Sequence, residues 1–370
     1  MTMRASGKIL VYLGLAAGAA VFLLPLLWML STALKPLEQT TVQPPLWLPW
    51  RYYAGEGRAR HEVKLSARVT VPSVWATPAG ASGPVALPQT DVRDGQWQLG
   101  NRTVPVRIHA TVPASRERPW QEVVDAATGR HELVAADAVG RQLAPRWENF
   151  VGAIRAMQHF WRYFGNTLLL CVLNVTGTVL SSSLAAYGFS RLEWRGRERV
   201  FAVLLGSMMI PFPVVMVPLY AMFRALGWVG TMQPLWVGSF CAAAFNVFLL
   251  RQFFRTIPKE LSEAARIDGC GEFRIFWQVI LPLCRPALVV VGLFTFLGTW
   301  NDFLGPLIYL TDESDFTLAL ALQAMQQRSG LTDWHYMMAA STLIILPIIA
   351  LFLVAQRHFI EGIAMTGSKT

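Results

Sequence analysis

Between Phe164 and Phe189 the chain carries no charged residue, and runs of this kind limit what it can fold into more than any other feature. A bilayer crossing takes about 20 apolar residues as a helix. In hydrocarbon every backbone amide must be satisfied within the protein, so the spanning forms are helices and closed barrels. Five further apolar runs accompany the first: Ile9–Leu34, Val200–Phe223, Gln233–Leu250, Pro286–Leu310 and Tyr336–Gln356. Pro211, Pro213 and Pro218 interrupt the run from Val200, and Asp302 is the one acid inside any of them. The expectation is an all-α polytopic membrane protein with six transmembrane helices. Composition agrees, with 54% hydrophobic and only 15% charged residues. The first run is too long for a signal-peptide core of about 7–15 residues, so it is expected to remain as helix 1.

Net charge is +9, which in a soluble domain would suggest nucleic acid. Here the basic residues gather in short segments beside apolar runs: Arg4 and Lys8, Arg191 to Arg199, Arg251 to Arg285, and Arg357. Basic residues in such places set orientation. Both termini are therefore expected in the cytoplasm, and nucleic acid is excluded as a partner.

Composition changes after helix 1. Prolines, glycines and arginines punctuate residues 46–145, and alternation appears at Val63, Leu65, Ala67, Val69 and Val71 and again from Val104 to Val112. Alternation of this kind predicts half-buried antiparallel strands. Glu122–Ala127 is ambiguous and is compatible with a short helix. The segment is expected to form a β-rich extracytoplasmic insert between helices 1 and 2. Long loops cross the membrane largely regardless of their charge, so its arginines do not oppose that placement. Four cysteines and six histidines show no metal-ligand spacing, and no disulfide framework is implied. The phosphate-binding Gly-x-x-x-x-Gly-Lys-Ser/Thr loop and the nucleophile elbow are both missing. The chain is not expected to be an enzyme or to carry a cofactor.

One polar stretch, Thr256–Pro286, separates two apolar runs. Pro258 suits the first helical position, and Gly269 suits a left-handed stop about three turns later. A second short helix should present Phe273, Phe276, Trp277 and Ile280 before Pro282 and Pro286 interrupt it. Glu263-Ala264-Ala265, Gly269 and then Val279-Ile280-Leu281-Pro282 follow the spacing E-A-A-x3-G-x9-I-x-L-P, with Val in place of the first Ile. This resembles the cytoplasmic motif of inner-membrane permeases of bacterial ABC importers. The resemblance implies that 258–269 is a coupling helix contacting the ATPase, through Glu263, Ala264, Ala265, Asp268, Gly269 and the following Pro282. The bland alternative is an amphipathic surface helix between spans.

Other residues extend the resemblance. Trp300-Asn301-Asp302-Phe303 with Gly305-Pro306-Leu307-Ile308 resembles a pattern of carbohydrate-importer permeases. Gly362 to Lys369 looks like their carboxyl-terminal pattern, with Thr370 in place of the last Gly. Trp147-Glu148-Asn149-Phe150 and Trp161 to Thr167 resemble the approach to their second helix. The resemblance is to MalG-type subunits, over residues 1–45 and 146–370. The implied fold is that of a type I ABC importer permease. The implied domains are an amino-terminal tail with helix 1 (1–45), the insert (46–145) and a permease core (146–370). The implied setting is the bacterial inner membrane, with lipid around the chain and the insert in the periplasm. Implied partners are a second homologous permease, a dimeric ATP-binding cassette ATPase that binds ATP and Mg, and an extracytoplasmic substrate-binding protein.

Sugar sites combine aromatic faces with amide and hydroxyl donors. Asn246, Trp300, Asn301 and Asp302 are the candidate substrate-pathway residues, with Asn174, Thr176, Ser181 and Tyr187 behind them. Each is individually better explained as glue between helices. Asp302 favours a structural or gating role near a helix break at Gly305-Pro306. The resemblance implies that the loop from Thr311 to Asp333 faces outward and probes the binding protein, the alternative being a helix at the membrane surface. Two rival functions remain. An ATP-independent secondary carrier should show intramembrane coupling groups and an internal duplication, and neither is visible. A membrane-anchored periplasmic domain for envelope assembly or sensing leaves the Glu263–Pro282 spacing unexplained.

Overall fold

The computed structural model describes residues 5–42, 45–54, 60–69, 73–80, 83–89, 92–99, 102–112, 120–136, 138–328 and 333–367. Two compact units are present, Met1–Trp147 and Glu148–Thr370. The predicted strand residue Val71 and the tail residues Ser368, Lys369 and Thr370 lie outside the described residues.

The first unit begins with α1 (Ala5–Ala33), of which Val11–Ala33 is long and apolar enough to cross a membrane. Strands follow: β1 (Trp50–Ala54), β2 (His61–Val69), β3 (Ser73–Pro78), β4 (Val85–Pro88) and β5 (Val92–Arg93). Then come β6 (Gln96–Leu99), β7 (Arg102–Val112), β8 (Trp120–Asp125), β9 (His131–Ala135) and β10 (Gly140–Leu143). They pair antiparallel into two five-stranded sheets, ordered β10-β1-β2-β8-β9 and β4-β3-β7-β6-β5. Ala54, Val63 and Val123 form the buried apolar centre of the first sheet, and Val74, Ala76, Leu87 and Val92 that of the second.

Two expectations are corrected here. Glu122–Ala127 is not helical: β8 runs to Asp125, paired with β2 and β9, and the chain then turns. The branched Val123 and Val124 suit a strand between two partners, and Asp125 accepts hydrogen bonds from the amides of Ala127 (2.8 Å) and Thr128 (2.7 Å) to stop it. The alternation in β2 also fails to hold. Val63 is 2% exposed but Leu65 is 41% exposed, and the register of β2 against β8 slips between Leu65 and Arg68. Val63 and Leu65 pair in regular register with β8 and share a face, so the slip, which lies beyond Leu65, does not account for its exposure.

The second unit is helical. It contains α2 (Glu148–Ala156), α3 (Phe160–Ser190), α4 (Arg197–Ser207), α5 (Phe212–Ala225), α6 (Gln233–Trp236) and α7 (Ala244–Thr256). These are followed by α8 (Lys259–Ile267), α9 (Glu272–Ile275) and α10 (Leu281–Leu283), the last two joined by a π turn at Phe276–Ile280. The remainder is α11 (Arg285–Trp300), α12 (Leu304–Tyr309), α13 (Leu318–Arg328) and α14 (Trp334–Gly367).

The central helix is α3, which packs against α11, α7, α13 and the 3-10 turn Val237–Cys241. Small and polar side chains on α3, among them Gly177, Thr178, Ser182 and Ser183, are buried and let its neighbours approach closely. Ser181 fastens one of them: its hydroxyl donates to Ser239 O (2.9 Å) and accepts from Ala242 N (3.1 Å).

Among the described residues four helices are of crossing length: Val11–Ala33, Phe160–Ser190, Gln233–Thr256 and Trp334–Gln356. Two bent pairs supply further apolar length. Arg197–Ser207 meets Phe212–Ala225 at 95°, and Glu272–Leu283 meets Arg285–Trp300 at 81°. Pro211 and Pro286 stand at these bends, each lacking an amide to continue the ladder. The run from Pro286 to Leu310 breaks at Asn301–Phe303, before Gly305-Pro306 and not at it. Asp302 takes over there, its carboxylate accepting from Gly305 N at 3.1 Å, and Gly305 and Pro306 lie inside the next helix.

Candidate functional site

The polar stretch between α7 and α11 is built from the residues its sequence nominated. Pro258 ends the extended link from α7, and α8 begins at Lys259. The helix stops at Asp268, and Gly269 adopts φ +81°, where a side chain would be strained. Cys270 N bonds to Ala265 O at 2.9 Å, and Gly269 N to Arg266 O at 3.0 Å. This pair of reversed bonds is a Schellman stop, and its customary apolar contact is supplied by Ala265 and Cys270, both half-buried against the core.

From Gly271 the chain enters α9 and then the π turn. The 3.6-residue period placed Phe273, Phe276, Trp277 and Ile280 on one stripe, but they divide between two faces. Ile275, Phe276 and Ile280 are buried, whereas Phe273 (71% exposed) and Trp277 (51% exposed) stack on each other outside. An i→i+5 turn advances the stripe by more than an α-helical turn does. The buried set joins Ala186, Tyr187, Val247, Leu250 and Phe254 in one core.

Glu272 locks the two short helices together. It accepts from Arg266 Nε at 2.7 Å and from the Tyr187 hydroxyl at 2.6 Å, so one carboxylate ties α8, α9 and α3. Tyr187 also meets Phe276 edge to face at 5.2 Å. Arg266 is held above its ordinary pKa by the hydrogen bond to Glu272. A second clamp lies at the end of α7. Arg251, 5% exposed, donates from Nε to Phe189 O (3.1 Å) and from Nη2 to both oxygens of Glu198 (2.8 and 2.9 Å), with its guanidinium 4.0 Å from the centre of the Phe201 ring.

These contacts leave α8 with two unlike faces. Ser262 and Ala265 face the protein, while Leu261, Glu263, Ala264, Ile267, Asp268 and Gly269 are exposed. Ile267 is 87% exposed, on a helix otherwise rich in charge. Pro282, at the start of α10, is exposed as well. Of the nominated residues, Glu263, Ala264, Asp268 and Gly269 thus share open surface on one short helix and its stop, with Ala265 beneath them. The sequence did not single out Leu261, Ile267 or Ser262, and it offered Tyr187 only as a pathway residue, not as part of this clamp. Leu261 and Ile267 were detectable as apolar positions off the buried stripe; the pairing of Tyr187 with Glu272, 85 residues apart, had no sequence signal.

Of the other nominated residues, only Asp302 and Asn174 share a cavity. Trp300 is 1% exposed, donates from Nε1 to Ile344 O (3.2 Å) and stacks on Phe296 at 5.3 Å. Asn301 is exposed and donates to Leu297 O at 2.8 Å. Asn246 is half-buried in the first turn of α7. Asp302 lines a cavity of about 150 Å³ with Asn174, Leu235, Thr299, Pro306 and Thr317. Asn174 itself donates to Leu235 O at 3.1 Å, joining α3 to α6.

The loop after Leu310 is pinned at its base. Asn166 donates to Ser314 O and Phe316 O (3.1 Å each), and Leu318 N bonds to Thr167 Oγ1 at 2.9 Å. Thr317, Leu318 and Leu320 are buried, so this part of the loop is seated on α3 and does not protrude. Among the described residues no group of three or more His, Cys, Asp or Glu could hold a metal ion.

Comparisons with known proteins agree with the motif. Residues 177–364 match the family model described as binding-protein-dependent transport system inner membrane component. The probable ABC transporter permease protein YurM of Bacillus subtilis is 39% identical over 225 residues, 60% of this chain and 73% of that protein. The arabinooligosaccharides transport system permease protein AraQ of Halalkalibacterium halodurans is 34% identical over 60% of this chain and 79% of its own. A chain in a crystal structure of a bacterial ABC transporter involved in the import of the acidic polysaccharide alginate superposes with a TM-score of 0.62. That match covers 97% of this chain and 99% of the other at 17% identity, which shows the fold, that of a type I ABC importer permease. The chain belongs to the family of binding-protein-dependent transport system inner membrane components and is a permease subunit of an ABC importer.

Proposed function

We propose that the chain forms half of the transmembrane pathway for a sugar or oligosaccharide delivered by a binding protein, the other half coming from a second, homologous permease. As a permease it is a transport subunit and not an enzyme, and ATP is hydrolysed by a separate subunit. ATP and Mg belong to that ATPase. The proposed setting is the bacterial inner membrane, with six crossings, both termini cytoplasmic, lipid around the helices and residues 46–145 in the periplasm. Basic residues beside the apolar runs support this orientation. The domains proposed are residues 1–45, 46–145 and 146–370. The sugar assignment draws on relatives such as AraQ, whose name specifies arabinooligosaccharides.

One observation carries the mechanism: α8 is clamped from behind by Glu272 and the Schellman stop, yet its outer face is open and partly apolar. A short helix held this way can seat in a groove of the ATPase. Leu261, Ala264 and Ile267 would supply close contact and Glu263 a charge for a basic partner. Motion of the ATPase would then reach α3 through Tyr187 and α11 through the bend at Cys284. Gly269 and Pro282 shape this lever. Asn246, Asn301 and Asp302 remain the pathway candidates, and Trp300 supports them by packing.

The test is to tag the chain, solubilise it gently and identify what co-purifies. An ATPase and a second permease recovered with wild type, and lost with Glu263→Arg, would support the reading. Recovery of the chain alone would count against it. Deleting Trp50 to Pro145 and measuring binding-protein affinity tests whether the insert is a docking surface; unchanged affinity would oppose that role.

A further inference from the structure

Behind α8 lies a cavity of about 880 Å³, walled by the end of α3, the turn before α4, the end of α7 and the first turn of α8. Four of the nine charged residues that line it are already in ion pairs. Arg197 and Arg251 pair with Glu198, and Arg266 pairs with Glu272. Two buried donor atoms are left over. Ser262, 3% exposed, has a hydroxyl with no hydrogen-bond partner among the described residues, and Arg191, whose Nη2 donates to Phe254 O and Ile257 O (2.7 Å), keeps a buried Nε without a partner among them. Buried polar atoms are nearly always satisfied by something. At the mouth, Arg255 and Lys259 are exposed, and among the described residues neither has an ion-pair partner. Pro258, the residue that caps α8, offers its first turn no side-chain acceptor, so the positive end of that helix also adjoins the cavity.

Two arginines, a lysine and a hydroxyl favour an oxygen-rich anion. Two exposed acids, Glu193 and Glu263, also line the cavity, and they penalise a dianion more than a monoanion. The cavity sits where α3 and α7 end among basic residues, a place that the permease reading puts at the membrane surface. Basic pockets in that position suit anionic headgroups. We propose that this cavity is an oxyanion site for a singly charged phosphate group at the membrane surface, with Ser262 and Arg191 at its floor and Arg255 and Lys259 at its mouth. The phosphodiester of an anionic phospholipid has that charge, and inorganic phosphate shares its chemistry. Occupancy would set the seating of α8 and so make coupling sensitive to lipid.

The test uses the full chain in nanodiscs of three kinds: phosphatidylcholine alone, phosphatidylcholine with phosphatidylglycerol, and phosphatidylcholine with inorganic phosphate in the buffer. Hydrogen exchange across residues 259–267 and lipid retained in native mass spectrometry are the readouts. Phosphatidylglycerol is expected to protect α8, and Arg255→Gln to weaken that effect about fivefold, equivalent to about 1 kcal/mol. Ser262→Ala removes a buried unpaired hydroxyl, so it should leave α8 unchanged in phosphatidylcholine while lowering phosphatidylglycerol retention. Protection by inorganic phosphate, lost in the same variants, would identify a free anion as the source. Equal exchange in all three settings, or protection undiminished in both variants, would overturn the site. The inference rests on the permease reading only for its position at the membrane surface. A variant that loses transport but keeps lipid protection would bear on coupling and not on this cavity.

Discussion

Replacing Glu272 by Ala should loosen α8 from the body of the protein without unfolding it. Two interactions are lost, and their environments differ. The Arg266–Glu272 pair is a little over 40% exposed on both sides, so solvent screens it and about 0.5 kcal/mol is a fair value. Tyr187 is 5% exposed, and its hydroxyl would lose its acceptor in a buried setting, costing about 1.5 kcal/mol. The sum, about 2 kcal/mol, is about thirtyfold in the population of undocked α8. Hydrogen exchange of the amides from Ala264 to Cys270 in the full chain should accelerate by about that factor. Exchange across α11 should not change, because its burial against α3 is untouched. The logic has an internal check. Tyr187→Phe removes the stranded hydroxyl, so it should recover much of the loss in the Glu272→Ala background, and a double-mutant cycle should show about 1 kcal/mol of coupling or more. Wild-type exchange rates in Glu272→Ala, or strict additivity with Tyr187→Phe, would refute the idea that this carboxylate is the fastener.

Three further outcomes are expected. Gly269→Ala places a side chain at φ +81° and should cost about 1–2 kcal/mol at the α8 stop, read as faster exchange at Gly269 and Cys270 and reduced uptake. Gly177→Ala would put a methyl carbon 2.4 Å from Ser239 Oγ and 2.7 Å from the Phe240 ring; about 1–3 kcal/mol of overpacking should lower the thermal midpoint of the purified chain. In the β-rich unit, Asp125 is held below the ordinary carboxylate range, chiefly by the amide of Thr128. A depressed carboxylate stabilises the fold above its unfolded pKa of about 3.9, and this is lost as pH falls through the lower folded value. Proteolysis at the β8–β9 turn should therefore distinguish wild type from Asp125→Asn at neutral pH, and the difference should vanish on strong acidification.

Much of the architecture was legible because apolar runs and motif spacing are local properties of a chain. Hydrocarbon leaves an uncharged run such as Phe164–Phe189 almost no option but a helix, and α3 spans Phe160–Ser190. Pro258 and Gly269 act through their own backbone, so the limits of α8 could be read to within a residue, Pro258 standing at the N-cap and not at the first helical position expected. The family was likewise visible in the spacing from Glu263 to Pro282, and the comparisons agree with it. What the sequence left open depends on partners distant along the chain. Whether Glu122–Ala127 was strand or helix turned on pairing with β2 and β9. The burial of Phe276 apart from Phe273 turned on a π turn fitted to the core around Tyr187. Glu272 looked like one more charge at the membrane surface until Tyr187 and Arg266 were brought to its two oxygens. Trp300 was a pathway candidate better explained as glue between helices, and only the packing of Phe296 and α14 shows which partners it holds. Local stereochemistry and the cost of burying backbone in lipid set the elements; which side chains meet, and which stay open to a partner, was decided only by packing those elements together.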